Sequence, residues 1–283
     1  MMCCLFPKIL QKYINKSENI IFVCANLINM KRFLLSVLIF CGCLCQGICQ
    51  EFEPKVFDSS SGNKLNYRVL APDNAKESKK YPLVLFLHGA GERGEDNEKQ
   101  LIHGSQMFLN PTVREKHPAF VLFPQCPSNQ YWAFLERPES FDNLQMGGEM
   151  PPILQAVKEM LDTYLADPMV DKDRIYIMGL SMGGMGTFSL VSRYPEIFAA
   201  AIPICGIADL NILPKAKDIK FRIYHGDADP VVPVRHSREA YKTLKAAGAK
   251  VEYFEFPGCN HLSWNPAFNQ PDFMKWLFGQ KKR

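Results

Sequence analysis

From residue 51 onward, the 283-residue sequence has little cysteine and no excess charge of either sign. This part carries 28 Lys and Arg against 28 Asp and Glu, so the formal charge of +4 belongs to the first 50 residues. A domain without net charge has no general field that attracts polyanions, which argues against nucleic acid or an anionic membrane as its partner. Its length of about 230 residues is sufficient to bury a core without disulfide support.

Three of the ten cysteines lie after residue 50, namely Cys126, Cys205 and Cys259. Three thiols cannot all pair, and their spacing matches no zinc site. A single bridge between Cys126 and Cys259 stays open as an interpretation. The histidines show no spacing typical of metalloenzymes, and we predict neither a metal nor another cofactor.

The N-terminal segment has the layout of a secretory signal. Met30-Lys31-Arg32 precedes an apolar stretch that starts at Phe33, and small and polar residues follow up to Gln50. The stretch is shorter than the roughly twenty apolar residues that a transmembrane helix needs. We therefore predict that residues 30–50 are a signal peptide, that residues 1–29 are an upstream extension of doubtful translation, and that the protein is secreted or periplasmic.

Two alternatives for this segment stay open. One is an N-terminal membrane anchor. The other is a lipid anchor at Cys43, because Phe40-Cys41-Gly42-Cys43 resembles a bacterial lipoprotein signal but lacks the usual aliphatic residue three positions before the cysteine. Sequencing the N-terminus of the exported protein distinguishes these possibilities.

From about residue 64, short apolar runs alternate with longer helical patterns, which is typical of a mainly parallel sheet flanked by helices. The predicted strands are 65–70, 83–87, 120–123, 175–178, 199–204, 221–224 and 251–256. The predicted helices are 152–165, 182–194, 234–247 and 272–278. No repeat interrupts the series, so residues 51–283 form one predicted domain. Ligands bind at the carboxyl ends of the strands in such sheets, so we expect the chemistry directly after these runs.

One glycine-rich motif lies at a predicted corner between a strand and a helix. It reads Gly179-Leu180-Ser181-Met182-Gly183. A serine at such a corner needs a tight, strained turn, which the glycines two positions before and after it allow. The turn lifts the hydroxyl above a helix N-terminus, where developing negative charge is favoured. We predict that Ser181 is a nucleophile; an ordinary turn with Ser181 as helix cap is the alternative.

A second loop of small residues, His88-Gly89-Ala90-Gly91, follows the predicted strand 83–87. Small residues let main-chain N–H groups approach a substrate oxygen that side chains would block. We predict that the amides of Ala90 and Met182 form an oxyanion hole and that His88 holds the loop by hydrogen bonds. A phosphate-binding loop is disfavoured because the lysine followed by Ser or Thr is missing.

An acid and a histidine follow two later strands. Asp227 and Asp229 come after strand 221–224, and His261 comes after strand 251–256. The order of serine, acid and histidine, each after a strand, is that of an α/β-hydrolase catalytic triad.

With these motifs, the chain resembles the α/β-hydrolase superfamily over residues 64–278, within its esterase, lipase and prolyl-oligopeptidase-like branch. The loop that starts at His88 and the stretch 123–127 resemble those of secreted bacterial esterases. Such relatives include acetylxylan and feruloyl esterases and proteins known only as predicted peptidases.

The resemblance implies a triad of Ser181, Asp229 and His261. His261 would take the proton from Ser181, and Asp229 would orient the imidazole. The family pattern places the acid at the second aspartate, which leaves Asp227 to organise the turn. His225, just before that turn, is predicted to be a packing residue.

Two features bear on the substrate. Only about a dozen residues separate Gly206 from Ile219, where many lipases carry a lid, so we predict no large lid. Trp132, in a loop of aromatic and amide residues, and Trp264, three residues after His261, are predicted to bind sugar or phenolic rings. Core packing is the alternative for Trp132.

The combined prediction is a secreted serine carboxylesterase that forms an acyl-enzyme on Ser181. Its partner would be a small-molecule or polysaccharide ester, with acetyl or feruloyl groups on plant polysaccharide as the expected substrates. One alternative is a serine peptidase of the prolyl-oligopeptidase-like type. The other is a non-catalytic interaction module, because a fold alone does not guarantee activity.

Overall fold

The computed structural model describes residues 51–136, 138–142 and 144–282. The predicted signal peptide, the upstream extension and the lipid-anchor residue Cys43 lie outside these ranges. Within them, no helix has the length and apolar character that crossing a membrane requires.

Eight strands in the described ranges form one sheet with the order β1-β2-β4-β3-β5-β6-β7-β8. They are β1 (Glu53–Asp58), β2 (Lys64–Leu70), β3 (Tyr81–Leu87), β4 (Phe120–Pro124), β5 (Val170–Leu180), β6 (Ala200–Ile204), β7 (Lys220–Gly226) and β8 (Lys250–Phe256). The β1–β2 and β2–β4 pairs are antiparallel, and the six strands from β4 to β8 are parallel. This confirms the predicted mainly parallel sheet.

Seven α-helices lie in the same ranges. They are α1 (Ser105–Leu109), α2 (Pro111–Lys116), α3 (Pro152–Leu165), α4 (Met182–Arg193), α5 (Arg235–Ala246), α6 (Trp264–Phe268) and α7 (Phe273–Phe278). The four predicted helices correspond to α3, α4, α5 and α7. The three that were not predicted have five or six residues each, too few for a helical repeat to be recognised.

The apolar run of strand β3 is continuous because both faces of the strand are buried. Leu83, Leu85 and Leu87 belong to a core that also contains side chains of α3, α4 and α5. Val84 and Phe86 point to the opposite face and belong to a core that includes residues of α1, α6 and α7. Because helices cover both faces, every side chain of the strand is buried.

Strand β1 was not predicted, and its surroundings give the reason. It lies at the edge of the sheet, pairs only with β2 among the strands, and is exposed at nearly every position. Its sequence therefore lacks the alternation of apolar and polar residues that marks a half-buried strand. Pro54 near its start is compatible with an edge position.

The bridge between Cys126 and Cys259 does not form, because both thiols are free. Cys126 follows β4 and Cys259 follows β8, which are separated by five strand-to-strand steps in the sheet. At about 4.8 Å a step, the distance far exceeds the roughly 7 Å between Cα atoms that a disulfide tolerates.

The sequence predicts no large lid between Gly206 and Ile219. In the structure, residues 207–219 contain only a short 3-10 helix, at Leu213–Ala216. This agrees with the prediction that no helical cap is inserted there.

Candidate active site

Ser181 lies at a strained corner between β5 and α4. Its backbone has φ of 54° and ψ of −118°, in a region that non-glycine residues rarely adopt. A β-carbon at Gly179 would lie 2.4 Å from the carbonyl oxygen of Gly183, so the turn is too tight for a side chain there. The Ser181 amide donates to the Ile204 carbonyl at 2.9 Å, which ties the corner to β6.

The three predicted triad side chains meet at the carboxyl edge of the sheet. His261 Nε2 lies 2.9 Å from Ser181 Oγ, and His261 Nδ1 lies 2.7 Å from Asp229 Oδ2. The Asp229 side chain is fully buried, whereas that of His261 is 18% exposed. The hydroxyl, the imidazole and the carboxylate therefore form one hydrogen-bonded chain.

Asp229 is held as a carboxylate by its surroundings. Burial works to raise the pKa of Asp229, but hydrogen bonds from His225, His261 and the Val232 amide outweigh it and keep the pKa well below its usual range. Oδ1 accepts from the amides of Val231 and Val232 at 2.8 and 2.9 Å. The other carboxylate oxygen, Oδ2, faces the imidazole of His261.

Asp227, the other aspartate of the turn, lies in a different hydrogen-bond environment. Its Oδ1 accepts from the amide of Gly258 at 2.6 Å. Its side chain thereby joins the loop after β7 to the loop after β8, which agrees with the turn-organising role that the sequence indicated.

Ala90 and Met182, whose amides were predicted to form an oxyanion hole, both line the cavity beside Ser181. Ala90 is the first residue of a short 3-10 helix (Ala90–Glu92), and Met182 is the first residue of α4. The first N–H groups of a helix have no acceptor within the helix. Their amides are therefore free of helical acceptors at the site where an oxyanion hole was predicted.

His88 holds the loop that carries Ala90. Its Nδ1 donates to the Gly89 carbonyl at 2.6 Å, and its Nε2 accepts from the Cys126 amide at 2.9 Å. Burial lowers the pKa of His88 to about 4, so the ring is neutral near neutral pH. The predicted structural role of His88 is thereby confirmed.

The substrate-binding prediction for Trp132 is wrong. Its side chain is fully buried and belongs to the core, and its indole N–H donates to the His88 carbonyl at 3.1 Å. The rings of Trp132 and His88 are in edge contact at 5.3 Å. Trp132 therefore packs against His88 and stabilises the loop that carries Ala90. Trp264, in contrast, lines the cavity and contacts the His261 ring at a centroid distance of 5.5 Å.

A cavity of about 430 Å³ opens over Ser181. Its walls are mainly apolar and aromatic, and they include Tyr131, Phe134, Phe141, Leu180, Met182, Met185, Val231, Leu262 and Trp264. Such a surface suits an apolar or aromatic group that is held by contact rather than by charge.

Part of this wall comes from described residues between β4 and α3, namely Tyr131, Phe134 and Phe141. Arg93, which directly follows the 3-10 helix Ala90–Glu92, donates to the carbonyls of Ser128 and Gln130 at 3.1 and 3.3 Å, and its guanidinium lies 4.3 Å from the Tyr131 ring centroid. His236 at the start of α5 lies 2.7 Å from the Phe141 carbonyl. This part of the wall is thus anchored from two sides of the site.

One end of the cavity is polar. Glu92 and His103 both line it, and Glu92 Oε1 lies 3.7 Å from His103 Nε2. Burial raises the pKa of Glu92, against the opposing effect of His103. Glu92 Oε2 and the Trp264 indole nitrogen are buried without a hydrogen-bond partner. Glu92 and His103 thus place two ionisable side chains in an otherwise mainly apolar cavity.

Among the described residues, Cys205, Asp229 and His261 have potential ligand atoms within 4.8 Å of one another. Asp229 and His261 already bond to each other, and the Cys205 Sγ lies 3.8 Å from the His261 carbonyl oxygen. Burial raises the pKa of the Cys205 thiol to about 12, which disfavours the thiolate that a metal binds.

The sequence reasoning missed Glu92, His103 and Phe141 as cavity residues. Glu92 carried a usable signal, because it stands two positions after the predicted oxyanion amide of Ala90. His103 and Phe141 lie in irregular segments with no motif, and nothing in their local sequence indicates the cavity.

Comparison with known proteins gives a consistent result. A family model described as phospholipase/carboxylesterase matches residues 73–272. A protein of Oryza sativa subsp. japonica named as a probable carboxylesterase is 30% identical over 209 residues, which covers 68% of this chain and 76% of that protein. A feruloyl esterase B of Thermothelomyces thermophilus is 28% identical over 127 residues, which covers 45% of this chain and 40% of that enzyme.

Among solved structures, a thermostable esterase superimposes with a TM-score of 0.76 at 39% sequence identity, over 83% of this chain and 64% of that one. The chain spans 25% of the length of an uncharacterized secreted protein of Arthroderma benhamiae, to which it is 26% identical. The fold is that of the α/β-hydrolases. Because the family model covers well over half of its residues, the chain belongs to the phospholipase/carboxylesterase family.

Proposed function

We propose that this protein is a serine hydrolase that cleaves carboxylic esters through an acyl-enzyme on Ser181. The observation that carries the proposal is the hydrogen-bonded chain from Ser181 through His261 to Asp229, which opens into a cavity beside the amides of Ala90 and Met182. Membership of a carboxylesterase family supports the same reaction class.

The geometry supports a definite sequence of steps. As Ser181 Oγ attacks the carbonyl carbon of the ester, its proton passes to His261 Nε2, and the carbonyl oxygen becomes an oxyanion beside the two amides. The intermediate collapses to an acyl-enzyme, and His261 returns the proton to the departing alcohol. Water then attacks the acyl carbon while His261 takes its proton, and the bond to Ser181 Oγ breaks as His261 returns that proton to Oγ and the carboxylic acid leaves. Asp229 stabilises the imidazolium in both halves.

The substrates that we propose are esters of aromatic or short acyl groups, with acetyl or feruloyl groups on plant polysaccharide as the leading candidates. Supporting this choice are the aromatic walls formed by Phe134, Phe141 and Trp264 and the likeness to a feruloyl esterase B. Secretion is part of the proposal, and its support is the signal-like layout of residues 30–50 and a relative named as secreted.

A panel of esters and peptides tests this function. The purified protein would be assayed with p-nitrophenyl acetate, methyl ferulate and a peptide anilide, in parallel with Ser181→Ala. We expect turnover of the esters and its loss in Ser181→Ala with an unchanged melting temperature. Cleavage of the anilide alone would indicate a peptidase, and no turnover of any substrate would favour a non-catalytic module.

A further inference from the structure

A second buried histidine lies behind the triad acid. His225, near the end of β7, is fully buried. Its Nε2 lies 2.9 Å from the carbonyl oxygen of Val232 and 3.3 Å from Asp229 Oδ2. Its Nδ1 lies 2.7 Å from the hydroxyl of Ser237 in α5, which is also fully buried.

These partners fix where the hydrogens lie. The carbonyl oxygen of Val232 can only accept, so His225 Nε2 must carry a hydrogen in either protonation state of the ring. In the neutral ring, Nδ1 accepts from the Ser237 hydroxyl. The Nε2–H is therefore shared between the Val232 carbonyl and the oxygen of Asp229 that also faces His261.

We propose that His225 and Ser237 are positioning residues of the active site, and that they extend the triad to the chain Ser181, His261, Asp229, His225, Ser237. This inference rests on the proposed function, because it concerns how the acid of that triad is held. The sequence indicated only a packing role for His225.

The mechanical basis is a closed ring of bonds around the acid. Asp229 Oδ1 accepts from the Val232 amide at 2.9 Å, and the Val232 carbonyl accepts from His225. The carboxylate is thus held by its own loop on one oxygen and lies between two imidazoles at the other. Loss of His225 would remove the bond to the Val232 carbonyl, so the loop and the Asp229–His261 pair could shift together relative to Ser181.

The electrostatic basis is the sharing of Asp229 Oδ2. A carboxylate oxygen with two N–H donors spreads its charge over both, so each receives a weaker bond than a single donor would. Removing the His225 donor would concentrate the charge on His261 Nδ1–H. It would therefore strengthen the Asp229–His261 hydrogen bond and stabilise the imidazolium form of His261.

Other ionisable groups surround the pair, and the test has to hold them constant. Glu255 on β8 stands in register with His225 and is paired with Arg238 and with the Tyr253 hydroxyl. Asp227 is bonded to the loop after β8. Two further groups near Asp229 are the thiols of Cys205 and Cys259. None of these side chains is changed in the variants below.

The variants are His225→Leu, His225→Gln and Ser237→Ala. Leucine removes the donor, glutamine keeps an N–H donor at the end of a similar length of chain, and the alanine removes the hydroxyl that orients the ring. Ser192→Ala is the matched control for Ser237→Ala, because Ser192 is also a buried helical serine and its hydroxyl has no partner. The measurements are kcat, KM, the pH profile of kcat/KM with p-nitrophenyl acetate, and the melting temperature.

We expect His225→Leu to lower kcat by roughly ten- to a hundredfold, with less than a threefold change in KM, because a small misplacement of catalytic groups costs about that much. The acid limb of its kcat/KM profile should move to higher pH. His225→Gln should recover most of kcat and of the limb position. Ser237→Ala should show a smaller shift in the same direction, and Ser192→Ala none.

A folded His225→Leu with wild-type kcat and an unshifted acid limb would overturn the proposal, and so would a His225→Gln no better than the leucine variant. If His225→Leu does not fold, Ser237→Ala decides, because a profile indistinguishable from Ser192→Ala would overturn the proposal. Activity that persists in Ser181→Ala would instead overturn the proposed function, so the two failures are distinguishable.

Discussion

The carbonyl oxygen of Leu87 lies so close to the Cα of Gly183 that a β-carbon built on Gly183 would stand 1.9 Å from it. Leu87 ends β3, and Gly183 belongs to the first turn of α4. The contact therefore joins the loop that carries Ala90 to the corner that carries Ser181. A side chain at this position would push that loop away from that corner, and with it the two amides proposed to bind the oxyanion.

We predict that Gly183→Ala lowers the free energy of unfolding by about 3 kcal/mol, the upper part of the usual range for overpacking. Activity should fall further than stability, because the oxyanion geometry is displaced as well. Chemical denaturation and ester turnover measure the two effects. Gly147→Ala is the control, because the nearest atom to a β-carbon there is Asp209 Oδ2 at 3.8 Å, an ordinary contact.

Asp229→Asn should lower kcat by about ten-thousandfold, the usual cost of leaving the imidazole in the wrong tautomer. Asp227→Asn should change kcat only slightly, because Asp227 bonds to the Gly258 amide and not to His261. Steady-state kinetics of the two variants test the assignment directly. Near-normal turnover in Asp229→Asn together with loss in Asp227→Asn would reverse it.

The two tryptophans should behave differently. Trp132→Phe removes the N–H donor to the buried His88 carbonyl, so we expect a loss of about 1–3 kcal/mol in unfolding free energy and little change in KM. Trp264→Ala removes a cavity wall and should raise KM for methyl ferulate severalfold. A raised KM in Trp132→Phe with unchanged stability would restore Trp132 as a binding residue.

The buried carboxyl of Glu92 should make the folding stability of the protein depend on pH. Burial raises the pKa of Glu92 in the folded protein, so the folded state binds the proton more tightly than the unfolded chain does. Ionisation is therefore costly in the fold, and this part of the stability is lost as the pH rises through the folded pKa. Because glutamine does not ionise, Glu92→Gln should not lose this part of its stability as the pH rises.

Thermal unfolding at pH 5 and pH 8 tests this prediction. The melting temperature of Glu92→Gln relative to the wild type should be more favourable at pH 8 than at pH 5. Glu149→Gln, at an exposed position, is the control. Its difference in melting temperature from the wild type should be the same at pH 5 and at pH 8. A difference for Glu92→Gln that does not grow with pH would mean that its carboxyl is ionised in the fold without cost.

The parts of the site that could be predicted are those that depend on local sequence. The corner at Ser181 follows from a buried strand, two glycines and a helix that are contiguous in the chain. Asp229 and His261 could be placed because each directly follows a strand, and the carboxyl ends of parallel strands lie at the same edge of the sheet. Their hydrogen-bond contact is the consequence of that topology.

The parts that could not be predicted depend on contacts between distant segments. Whether Trp132 faces the cavity or the core depends on its contact with His88, which stands 44 residues earlier in the chain. Glu92, His103 and Trp264 meet at one end of the cavity although no spacing relates them. The second imidazole on Asp229 was missed for the same reason, because the sequence pattern of His225 fits packing equally well.

The proposed function depends on Ser181 acting as an activated nucleophile. Labelling the native protein with a fluorophosphonate probe, followed by peptide mapping, tests it most directly, because the probe reacts with serines that an adjacent imidazole activates. We expect one modified residue, Ser181, and no labelling of Asp229→Asn or His261→Ala on the same time scale. A folded, unlabelled protein, or a label on any other residue, would contradict it.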